Sequence, residues 1–153
     1  KSIMKQGFYL RCRIEGVPEL SRILMTTARK VSSLKVPLWR ASKLILADVE
    51  ENFETEGRLV GGWKPLAPST VAGRMREGYG GEHPILQKTG ALRQSFYSRV
   101  DNRRAFVSAS SPYFAFHQSR KPRTRLPRRA MLVLTDRTRQ NIVEEFYKFV
   151  RFK

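Results

Sequence analysis

The stretch PLWRASKLILADVEENFETE, residues 37–56, carries the clearest structural signal in the chain. Leu38, Ala41, Ile45, Val49 and Phe53 recur at helical spacing, and Trp39 and Leu46 widen one side of that stripe. Arg40, Lys43, Glu50, Glu51 and Glu54 cover the opposite side. Pro37 suits a first helical turn, where its missing N–H leaves no bond unmade, and Gly57 stands where helices commonly stop. The spacing therefore predicts a long helix from Pro37 to Glu56.

Upstream of it, Phe8, Leu10, Cys12 and Ile14 alternate with Tyr9, Arg11 and Arg13, the period of a half-exposed strand. Pro18 then opens a second amphipathic helix, with Leu20, Ile23, Leu24, Thr27, Ala28 and Val31 on one face. Downstream, residues 57–84 are rich in Gly and Pro and read as loop, broken by a short helix from Ser69 to Glu77. Phe96, Ser98 and Val100 alternate with Tyr97 and Arg99. Asp101-Asn102 offers a turn, and Ala105 to Ala109 returns, so a hairpin is expected. Met131 to Leu134 reads as a short strand. Thr135 or Asp136 then caps a last helix that buries Ile142, Val143, Phe146, Phe149 and Val150. The sum is an α+β fold: a small antiparallel sheet packed with two long helices and a C-terminal helix, with long loops between. The whole chain, 1–153, is expected to form one domain.

Charge is the compositional outlier. Lys and Arg number 30 against 13 Asp and Glu, a net charge of +17. Such a field favours acidic partners, whether nucleic acid, an anionic surface or an acidic protein. The single cysteine, Cys12, permits no intrachain disulfide and reads as a small buried hydrophobe. No apolar run approaches the roughly 18–20 residues of a membrane span, so no membrane association is expected, and the chain is expected to be soluble and intracellular while it is made.

The residues that reactions need are sparse. His83 and His117 have no cysteine or second histidine at metal-ligand spacing. Gly78, Gly80 and Gly81 lack the Lys-Ser/Thr and strand–loop–helix context of a phosphate loop. Glu82-His83 could supply an acid and a base to a nuclease, but no second carboxylate cluster for Mg²⁺ lies nearby. No cofactor and no enzyme are expected.

What remains is a series of specific loop residues. Trp63 is an anchor able to pin its loop to the core while the ring N–H finds a carbonyl, and His117 is expected to hydrogen-bond a neighbouring loop backbone. In chain order the set runs Trp63, Pro65, Leu66 and Thr70; then Leu86, Thr89, Gly90, Leu92 and Ser95; then Tyr113, Ala115, His117 and Gln118; then Pro127, Arg129 and Leu132. Together these segments resemble the phage virion morphogenesis family, the Mu-type tail-completion proteins, over about Pro37 to Phe149. The chain departs from that family at Gly61-Gly62, where an aspartate-glycine turn is usual, and at Ser119-Arg120-Lys121, where an aromatic and glycines are usual.

The resemblance implies a structural subunit of the virion neck, present in the host cytoplasm during assembly. It implies a six-fold homo-oligomeric ring between the portal or head-completion proteins and the tail tube or terminator. Contacts are expected from loops 57–84 and 110–130. A basic nucleic-acid-binding module, and less so a small phage nuclease, are the alternatives. The basic loop at about 119–129 carries Arg120, Lys121, Arg123, Arg125, Arg128 and Arg129 with no acid among them. Arg128 and Arg129 are expected to meet an acidic protein face. Arg120 to Arg125 are expected to meet genome DNA in the lumen, or solvent.

Overall fold

The computed structural model describes residues 33–121 and 126–151. The strand expected over 8–14 and the helix over 18–31 lie outside that range. The long helix, α1, spans Lys35–Glu54 and places Pro37 in its first turn. Val49 and Phe53 are fully buried, as the spacing predicts, but so are the polar Ser42, Asp48 and Asn52. Trp39, expected to widen the buried stripe, is 53% exposed instead. Its ring faces outward under the Lys43 ammonium, 5.6 Å from the ring centre, a cation–π contact that suits a solvent-facing indole.

Beyond α1 the chain reverses. The Gly57 N–H donates to the Asn52 carbonyl at 2.8 Å, closing the helix with Gly57 at φ 88°. A single 3-10 turn, Arg58–Val60, leads to Trp63. Three short helices follow around a hairpin: α2, Pro68–Arg76; α3, Ala91–Gln94; and α4, Tyr113–Gln118. The hairpin lies between α3 and α4. Strands β1, Phe96–Val100, and β2, Ala105–Ala109, pair antiparallel with Phe96 opposite Ala109 and Val100 opposite Ala105. In β1 burial alternates as the sequence predicts, with Tyr97 and Arg99 outside. The last helix, α5, spans Asp136–Arg151. Helices and a small antiparallel sheet make this an α+β fold.

The core joins α1, the hairpin and the loops. Phe53 meets Trp63 and Phe96 edge-on at 5.4 and 5.9 Å, and Phe96 meets Phe114 at 5.4 Å. Each such ring pair adds about 0.5–1.5 kcal/mol to the burial itself. α5 packs on α1 through Ala41, Ile142 and Phe146. Thr135 caps α5: its hydroxyl accepts the Thr138 N–H at 3.1 Å and donates to Asp48 Oδ2 at 3.1 Å, which gives buried Asp48 its role.

Two further expectations are corrected. Residues 131–134 form no strand, because the Gln118 side-chain amide takes the place of a neighbouring strand. Its Oε1 accepts the Met131 and Leu132 N–H groups at 3.0 and 3.1 Å, and its Nε2 donates to the Leu132 carbonyl at 2.7 Å. Tyr113 to Gln118, read as loop, is a helical turn that turns Phe114 and His117 inward.

Candidate functional site

Loop 57–84 meets residues 110–117 and 126–129 across a groove of about 1130 Å³. One wall comes from α2 and the segment before it. Ala67 caps α2, Pro68 begins it with the dihedral that a helix requires, and Thr70 and Arg74 line the groove one helical turn apart. Pro65 and Leu66 continue that wall toward the core.

The second wall is the segment from Leu86 to Ser95. Leu86 sits at φ 60°, a left-handed conformation costing a non-glycine residue about 1–3 kcal/mol, so its surroundings must impose it. They do so on both sides: the Ile85 N–H donates to Glu56 Oε1 and Gln87 Nε2 to the Phe53 carbonyl, each at 2.8 Å. Gly90, at φ 73°, starts α3. Thr89 and Leu92 line the groove, and Leu92 is also part of the core.

The third wall is α4 with the end of the basic loop. Tyr113 stands at the lip, 65% exposed, while His117 and Pro127 lie deeper. Burial lowers the His117 pKa, and the neighbouring Arg129 guanidinium lowers it further; a hydrogen bond to the Pro127 carbonyl opposes both. Nδ1 is enclosed and has no hydrogen-bond partner among the described residues.

Arg129, expected at an acidic protein face, is held first by carbonyls of its own chain. It is 4% exposed, and its Nε and Nη2 donate to the Lys64 and Pro65 carbonyls at 2.8 Å each. Its own N–H donates to the His117 carbonyl at 3.1 Å. One residue, through its guanidinium and its backbone N–H, thus ties the Trp63 loop and α4 to the segment before Ala130. Burial pushes its pKa down.

The other candidate residues fall elsewhere. Trp63 lies behind the groove in the core, its Nε1–H donating to the Ala130 carbonyl at 2.9 Å. Gln118, Arg120 and Arg128 line a second groove of about 1010 Å³, with Arg103 and Arg104. Arg128 is exposed there, donating only to the Gln118 carbonyl at 3.3 Å. Lys121 is exposed, and Arg123 and Arg125 lie outside the described residues.

Sequence reasoning missed Arg74, 5% exposed, whose Nη1 and Nη2 both donate to the Pro84 carbonyl at 3.1 Å. Its spacing of four from Thr70 was the available signal. Lys88 and Ser110, also in the lining, carried none.

The site is therefore an apolar groove with polar atoms at its edges. Among the described residues no group of His, Cys, Asp and Glu is placed to hold a metal ion, and no helix is long and apolar enough to cross a membrane. Residues 19–150 match the profile of a family described as the phage virion morphogenesis family. No curated protein and no solved structure matches the chain.

Proposed function

The chain belongs to the phage virion morphogenesis family, and we propose that within that structural role it is a neck protein, a ring-forming subunit that completes the joint between head and tail. One observation supports this reading above others. Pro65, Leu66, Thr70, Leu86, Thr89, Leu92, Tyr113, His117 and Pro127, drawn from separate loops, all converge on one groove. Residues whose task is only to fill a core would not line a single open surface, whereas residues that build a docking face would. On this reading the whole chain acts as one domain in a closed ring. It works by surface complementarity without catalysis, with the portal or head-completion proteins on one side and the tail on the other.

The second reading, a nucleic-acid-binding module, is favoured by Arg103, Arg104, Arg120 and Arg128 around the second groove. Deleting the gene and imaging the lysate separates the two. A neck subunit leaves filled heads and finished tails unjoined. A nucleic-acid module leaves particles joined, or blocks genome packaging before heads fill. A catalytic turnover abolished by His83→Ala or His117→Ala would contradict the structural reading.

A further inference from the structure

Two guanidiniums in the groove lining lack an anion. Arg74 and Arg129 are 5% and 4% exposed, yet their hydrogen bonds go to backbone carbonyls and none of the ion pairs among the described residues includes either. Burying an uncompensated charge is expensive, and carbonyl dipoles offset only part of the cost. Lys64 adds a further positive charge to the lining, and the carboxylate that shares it, Glu77, is already paired with Lys88.

Two nitrogens add a second constraint. Arg74 Nε is a donor without an acceptor, and His117 Nδ1 has no partner of either kind, both enclosed. A polypeptide backbone offers both a carbonyl and an N–H. Between these polar points the lining is apolar, from Leu66, Leu92, Pro112 and Leu126.

We propose that this groove is the docking site for an extended acidic segment with apolar side chains, contributed by a different protein of the virion. The proposal rests on the neck reading above and gives that surface its partner chemistry. A second copy fits this groove poorly because the described acidic stretches of the chain are already paired within the chain itself. The Glu50, Glu51 and Glu54 cluster that another copy could offer is already engaged by Arg93, Arg58, and Arg137. Carboxylates of the segment lie toward Arg74, Arg129 and Lys64, its apolar side chains fill the floor, and its backbone enters beside His117.

Two measurements test it. The first is an NMR titration of the full chain with a short peptide alternating glutamate and leucine. Its lysine–leucine counterpart and a single-stranded oligonucleotide serve as comparison probes. Shifts at Thr70, Leu92 and Tyr113 are expected with the acidic peptide alone, and both Lys64→Glu and Tyr113→Ala, at exposed positions, should weaken binding about tenfold or more. Equal binding of the basic peptide, displacement by the oligonucleotide, or no binding of the acidic peptide overturns the proposal. The second places a photoreactive side chain at position 113 in assembled particles. A crosslink to an acidic stretch of another virion protein is the expected product, and a crosslink to DNA or to a second copy overturns the proposal while the neck reading stands. Particles that lack the chain altogether overturn the neck reading, and the titration then decides the groove by itself.

Discussion

Gly57 and Trp63 act as one unit. A Cβ at position 57 would lie 2.3 Å from Trp63 Cδ1, so the glycine both takes the left-handed turn and leaves room for the indole. Trp63 in turn fixes its loop to Phe53 and to the Ala130 carbonyl. Replacing Trp63 with Ala should cost about 3–5 kcal/mol, the usual penalty for emptying an aromatic site in a core, and a thermal midpoint close to that of the parent would show the ring to be dispensable. The tryptophan's anchoring was legible because a large ring between Gly62 and Pro65 has few other uses. The inward turn of Arg74 and Arg129 was not, since an arginine reads as surface until its carbonyl partners are known. His117 gives a pH test. Its folded pKa lies below the ordinary 6.5, so beneath that pH the unfolded chain takes up a proton that the folded one refuses. Stability should be full above pH 6.5 and fall as pH drops below it, down to the folded pKa. Urea midpoints across this window should lose that component of their slope in His117→Gln. An unchanged slope would mean the imidazole is free to charge in the folded protein.

Among the elements, α1 and β1 were legible because each follows its backbone period, whereas β2 buries the adjacent Val107 and Ser108. Helix α4 was missed for the opposite reason: six residues give no repeat, and only Phe114 and His117 turn inward. The segment 131–134 was misread because its apolar run suits a strand, while its backbone partner is a side chain distant in sequence. Gln118→Leu tests that arrangement. It leaves the Met131 and Leu132 N–H groups and the Leu132 carbonyl without Gln118, at about 1–3 kcal/mol for each group left buried and unpaired. Amide exchange at Met131 and Leu132 should accelerate well before the rest of the core does. Protection retained at both amides would mean that another group satisfies them.

For the whole molecule, the residues that resemble a virion family are scattered along the chain, and most of them meet at one groove only in the folded protein. The groove itself was therefore illegible in sequence, although half of its lining residues stand out there one by one. The net charge of +17 gains a division of labour from the structure. Arg74 and Arg129 are enclosed at the first groove, and Arg103, Arg104, Arg120 and Arg128 surround the second. Exposed Arg120 and Arg128 should set any salt-dependent DNA binding, so replacing both with Gln should flatten the dependence of affinity on salt by roughly one unit of slope for each phosphate left unneutralised. An identical slope in the double variant would place the DNA-binding surface elsewhere. The central claim, that this chain is a neck subunit, is tested most directly by a cryo-EM reconstruction of the particle around the head–tail joint. The account predicts a closed ring of this chain between portal and tail, with the Tyr113 groove filled by another protein's segment. The chain found only outside that joint, or missing from finished particles, would contradict it.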